Sequence, residues 1–177
     1  MVLANLYGST AHLSPLLRKA RQLGYSDSDQ LLLLAVARGC LHYAPADFKA
    51  SDVQDCGRSA FSNEELVVAL VSGSSEGDAR HVRVAAQLLG SPGLSAAKVA
   101  RLAQLERCVP IISYIAEAGL REDVENSSFW ESLLDLLPDA TAIPEGRLPH
   151  PSRFLSQPGW TPPSRPARRS TWLRAHG

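Results

Sequence analysis

Four helix-start signatures fall at nearly equal intervals along this chain: Ser26, Ser62, Ser95 and Ser128 lie 36, 33 and 33 residues apart. The clearest is AFSNEEL. Ser62 is placed to accept from the backbone three residues on, Glu65 to reach back, and Phe61 and Leu66 to staple the turn. YSDSDQL offers Tyr25, Ser26 and Asp29 in a similar arrangement, GLSAAKV offers Leu94, Ser95 and Val99, and SSFWE offers Ser128 and Glu131. Gly24, Gly57 and Gly90 repeat the same 33-residue rhythm just before these starts, where a left-handed glycine can end a preceding helix.

Between one start and the next glycine there is room for two helices. The spacing predicts second members over 45–55 and 110–118, each with a proline in the first turn, and over 79–89 after Asp78. Leu13, Leu16, Leu17, Ala20 and Leu23 share one face of a further, first helix, and FWESLLDLLP reads as a core-sealing last helix ended by Pro138. Only 6% of residues are aromatic and the apolar set is mostly Ala and Leu, which favours helix over sheet. The fold class is therefore all-α, either a short stack of helical hairpins with a period near 33 or an irregular helical bundle. Tetratricopeptide and ankyrin consensus residues are absent.

From residue 143 the composition changes. Residues 143–177 carry seven of the twelve prolines and six arginines against Glu145 alone, a net +5 that leaves −5 for the rest of a formally neutral chain. The sequence thus divides into a helical domain over 1–142 and an extended basic tail over 143–177. Arg153, Phe154, Trp160, Arg165, Arg168, Arg169, Trp172 and Arg174 are its candidate partner-binding residues. They suit capture of a protein partner or docking on the chain's own body. The alternative is nucleic-acid binding, with the arginines neutralising phosphates and Trp160 and Trp172 stacking on unpaired bases.

Other chemistries find less support. In VARLAQLERCVPIISYIAEAG a DNA-reading helix-turn-helix would need a glycine where Gln104 stands, and Pro110 falls inside its recognition helix. Cys40, His42 and Cys56 lack the second close pair that a structural zinc site usually shows. Glu64–Glu65 and Glu122–Asp123 read as solvated helix ends. No nucleophile elbow or phosphate-binding loop occurs, so the chain is read as a non-enzymatic interaction module with no cofactor, metal or catalytic residue. Three cysteines fit a reducing, cytoplasmic setting. The longest apolar run, LLLLAVA at 31–37, is far short of the ~20 residues of a membrane span, and the acid-free N-terminus is read as helical rather than as a transit peptide.

Overall fold

The computed structural model describes residues 14–72, 78–156 and 170–175. Among these there are seven α-helices: α1 (Pro15–Gln22), α2 (Ser28–Ala37), α3 (Asn63–Val71), α4 (Ala79–Leu89), α5 (Ala96–Leu105), α6 (Val109–Glu122) and α7 (Ser127–Leu136). The chain is all-α, as its composition requires. Its one β feature among the described residues is an isolated antiparallel bridge between Leu155 and Trp172.

Helix α3 is the axis of the bundle. All six residues from Leu66 to Val71 are buried, and α2, α4, α5 and α1 all pack against it. A helix apolar on every side has no solvent face to spare and belongs inside the others. Its start is the expected capping box: Ser62 Oγ accepts from Glu65 N, and Glu65 Oε2 accepts from Ser62 N. Glu64 and Glu65 are not solvated ends, however. Each has most of its side chain covered and pairs with a lysine, Lys98 on α5 and Lys19 on α1, so the capping turn also ties three helices together.

The other starts show what the sequence pattern resolves and what it does not. Ser95 caps α5 as expected, accepting from Lys98 N. The cap of α2 is Asp27 rather than Ser26. Helix α7 follows directly from a 3₁₀ turn at Val124–Asn126, so it begins at Ser127 without a side-chain cap and Ser128 lies within it. Helix α1 borrows its cap from far away: besides Ser14 Oγ on Leu17 N, the carboxylate of Glu106 accepts from Leu16 N across 90 residues of sequence. An acid at that end also opposes the positive pole of the helix.

The helix expected over 45–55 is absent. Its one helical element is a 3₁₀ turn at Ala50–Asp52, with another just before the stretch at Leu41–Tyr43. Pro45 forces Ala44 into extended backbone, φ −63° and ψ 134°, and LHYAPADFKASDVQ has no apolar stripe with which to dock. Two of the three intervals hold a packed helix pair, α3 with α4 and α5 with α6, but the first does not, so the ~33-residue spacing is not kept as one hairpin per interval; the helices form a bundle. Arg38, itself buried, fixes this long connection. Its Nε and Nη2 make a two-pronged bond to Asp55, and Nη1 donates to Phe61 O and Asn63 Oδ1.

The Arg38 guanidinium holds the Asp55 carboxyl below its ordinary range. A carboxylate with a lowered native pKa stabilises the fold fully above its unfolded value of about 3.9, and that share is lost as pH falls through the native value. Denaturant melts of wild type and Asp55→Asn should therefore differ at pH 7 and converge as pH drops below about 4.

Glycine 119 carries a second testable consequence. It lies inside α6 and faces the indole of Trp130 on α7, so that an added Cβ would overlap Cδ2 and Cε2. Replacing a helix-interior glycine by alanine ordinarily gains up to ~1 kcal/mol. Here the sign should invert, because the overlap is with a rigid, fully buried ring. Gly119→Ala is expected to lower the unfolding free energy by about 1–3 kcal/mol in urea denaturation.

Candidate docking groove

Two short tail segments, residues 151–156 and 170–175, lie on the helical body, and Phe154 and Trp172 are members of its core. Phe154 sits in a 3₁₀ turn over Pro151–Phe154 and meets Tyr114 of α6 nearly edge-on, with ring centroids 6.4 Å apart. Trp172 packs between Phe154 and Trp130, at 5.4 and 5.2 Å. The indole N–H donates to Ala86 O on α4 at 3.0 Å.

What makes room for Trp172 is Gly90, whose Cβ, if present, would overlap Cδ1 and Nε1 of the ring. The sequence reading of Gly90 as a left-handed helix end is corrected here. Its φ is −72°, a conformation open to any residue, so close approach of an indole is what favours glycine at this position. Gly24 does have the expected left-handed backbone.

Beside this slot lies a buried carboxylate. Asp123 is 3% exposed. Its Oδ2 accepts from Trp130 Nε1 at 3.0 Å and from Arg174 Nη1 at 3.1 Å, and its Oδ1 accepts from Arg174 Nη2 at 2.6 Å. Arg174 also donates to Gly90 O and lies 3.5 Å from the exposed Glu125. A guanidinium gripped by two carboxylate oxygens and a carbonyl is held in direction as well as charge. The reading of Glu122–Asp123 as a solvated end is thus corrected for Asp123, which points inward.

Backbone bonds complete the seat. Leu173 N donates to Phe154 O and Ser156 N to Thr171 O, across the Leu155–Trp172 bridge. Gln87 Nε2 donates to Arg174 O, and Ala175 N to Ser91 Oγ. Every residue from 172 to 175 is therefore held by a hydrogen bond to the body or to the neighbouring 154–156 segment.

Neither a family model nor a curated protein nor a solved structure matches this chain. The groove has to be interpreted on its own geometry. Of the eight candidate tail residues, the structure brings together Phe154, Trp172 and Arg174. Arg153 is exposed on the turn beside them, and Trp160, Arg165, Arg168 and Arg169 lie outside the described residues. Residues that the sequence reading did not assign to binding form the receiving side: Gln87, Gly90, Ser91, Asp123 and Trp130. A signal for part of it was present, since a glycine inside a helical pattern costs stability unless something packs against it.

The remaining candidates are placed elsewhere. Cys40 and Cys108 are buried, and desolvation pushes each thiol up to about 12, which suits core packing rather than nucleophilic or metal-binding thiolate. Cys56 is half-buried and shares a hydrogen bond with the Tyr25 hydroxyl at 3.3 Å. His42 is exposed while Cys40 is fully buried, and no group of three metal-binding side chains assembles among the described residues. On α6, Pro110 occupies the first turn, as the sequence predicted, and both Ile112 and Ile115 are buried. No helix among the described residues is long and apolar enough to cross a membrane.

Proposed function

We propose that this protein is a non-enzymatic helical interaction module that grips extended basic segments carrying an aromatic anchor. The observation that carries the reading is the seat of Trp172 and Arg174: an indole slot floored by Gly90 next to a buried carboxylate, Asp123. This is the anatomy of a peptide-binding groove, with an aromatic anchor in a pocket and a charged group held bidentately beside it. Several polar side chains serve the fold in support of this reading: Ser14, Ser62 and Ser95 cap helices, and the thiols of Cys40 and Cys108 are buried. A protein partner reached through this surface and the basic tail is the best-supported reading. The free state of Cys40, Cys56 and Cys108 fits a cytoplasmic setting for it.

The competing reading is nucleic-acid binding through the tail. It now rests on Arg153, Trp160, Arg165, Arg168 and Arg169, because Arg174 is paired with Asp123 and Trp172 is buried. Affinity capture with the wild-type chain and an Arg165→Gln, Arg168→Gln, Arg169→Gln variant separates the two, each with and without nuclease, alongside a salt titration against duplex DNA and single-stranded RNA. A stoichiometric protein partner that survives nuclease supports the interaction module. Binding to nucleic acid alone, steeply salt-dependent and lost in the glutamine variant, would replace it.

A further inference from the structure

The groove reads its occupant in a way that does not depend on the occupant being covalently attached. Residues two apart in an extended segment point to the same side, and Trp172 and Arg174 enter the indole slot and the Asp123 pocket as such a pair. Leu173, between them, turns away and uses its backbone N–H to pair with Phe154 O. The recognition element is therefore Trp-x-Arg in extended form, its backbone and that of Ala175 met by the Phe154 carbonyl, the Gln87 side-chain amide and the Ser91 hydroxyl.

The tail that carries this element is anchored at Leu148, Pro149 and Phe154, and its connection to the helices before that point is loosely held. After α7, residues 138–142 and 144–147 are exposed. Among the described residues, the one backbone hydrogen bond within 138–148 closes a turn from Arg147 N to Pro144 O. The ten residues 138–147, if extended, reach roughly 33 Å at about 3.3 Å each, enough to cross to a neighbouring molecule.

We propose that the helical body also docks the tail of a second copy of this chain, Phe154 together with the Trp172–Arg174 element, giving a strap-exchanged dimer. The proposal rests on the groove being an interaction site, as argued above, and adds the identity of one occupant. A second copy is the partner whose fit is already on the page: its own segment has the sequence seated here, and every contact of the closed monomer would recur between copies. Closed and exchanged forms then differ chiefly in the entropy of the connection. A tethered element competes at an effective concentration of order millimolar, so the exchanged dimer should become populated as protein concentration approaches that range.

Two measurements on the full chain test this. The first is sedimentation velocity at about 10 μM and about 1 mM, bracketing that effective concentration, for wild type and for the double variant Trp172→Ala, Arg174→Ala, whose strap has lost both anchors and whose helicity is checked first. The second is titration of a synthetic peptide of residues 170–177 into wild type, Trp172→Ala and Trp172→Ala, Asp123→Asn, each first checked for helicity by far-UV circular dichroism. The expected result is a dimer that grows with concentration in wild type and is lost in the double variant Trp172→Ala, Arg174→Ala, where neither the closed nor the exchanged contacts can form. The peptide should bind Trp172→Ala saturably, at least tenfold more weakly to wild type, whose own strap competes, and more weakly again once Asp123 is neutralised. Should Trp172→Ala lose its helices, Arg174→Ala serves as the emptied groove. A wild type that stays monomeric throughout while the peptide still binds would overturn the exchange and leave the groove reading standing. A dimer that persists in the double variant Trp172→Ala, Arg174→Ala, or a peptide that binds neither folded form, would overturn it as well.

Discussion

Trp172→Ala should lower the free energy of unfolding by about 3–5 kcal/mol, the range for deleting a buried large aromatic side chain. The residue lies far along a proline-rich tail, where truncation to alanine would ordinarily change little. Its side chain is 3% exposed and touches Trp130, Phe154 and the bare backbone of Gly90. Removing it leaves a cavity walled by rings and by a helix terminus that cannot collapse inward. Ala86 O is not orphaned by the loss, because it also accepts from Gly90 N within the helix end. The cost is therefore one of packing rather than of an unsatisfied carbonyl, and Trp172→Phe should recover a substantial part of it. Urea denaturation of the three proteins checks both statements.

Asp123→Ala is expected to be the next most damaging change, at about 2–4 kcal/mol. It removes the acceptor for two charged N–H groups of Arg174 and for the indole of Trp130 at once. Trp130 is completely buried, so its N–H would be left without a partner, a penalty of about 1–3 kcal/mol by itself. Arg174 retains 27% exposure and can recover some hydration, which keeps the estimate below that for a fully enclosed pair. The double variant Asp123→Ala, Arg174→Ala should cost less than the sum of its singles, since each single change already breaks the same pair. A double-mutant cycle in urea supplies the number.

Much of the helical framework was legible in the sequence because helix starts are local events. Ser62 with Glu65, Ser95 before an apolar stripe, Asp78 ahead of 79–89 and Pro110 in a first turn each act within four residues, and each is found where the pattern places it. Local patterning was insufficient at 45–55, where Pro45 suggests a start but no apolar face exists to dock a helix.

The groove was only half legible. The tail residues Phe154, Trp172 and Arg174 stand out by composition, whereas their receptors do not. Gly90 looks like a helix stop and Asp123 like a solvated acid, because what defines each is a neighbour 51 to 84 residues away. The same holds for Glu106, which resembles an ordinary surface acid until α1 is laid across it.

The contact between Trp130 and Trp172 also has an optical meaning. Trp130 belongs to a helix and Trp172 to the strap, and their rings are 5.2 Å apart at 57° in a chiral, enclosed setting. Rings fixed in this way give near-ultraviolet dichroism, whereas the backbone helices dominate the far-ultraviolet. Seating of the strap thus adds to the near-ultraviolet signal while the far-ultraviolet signal reports the bundle, and the wild-type protein carries its own gauge of whether the groove is filled.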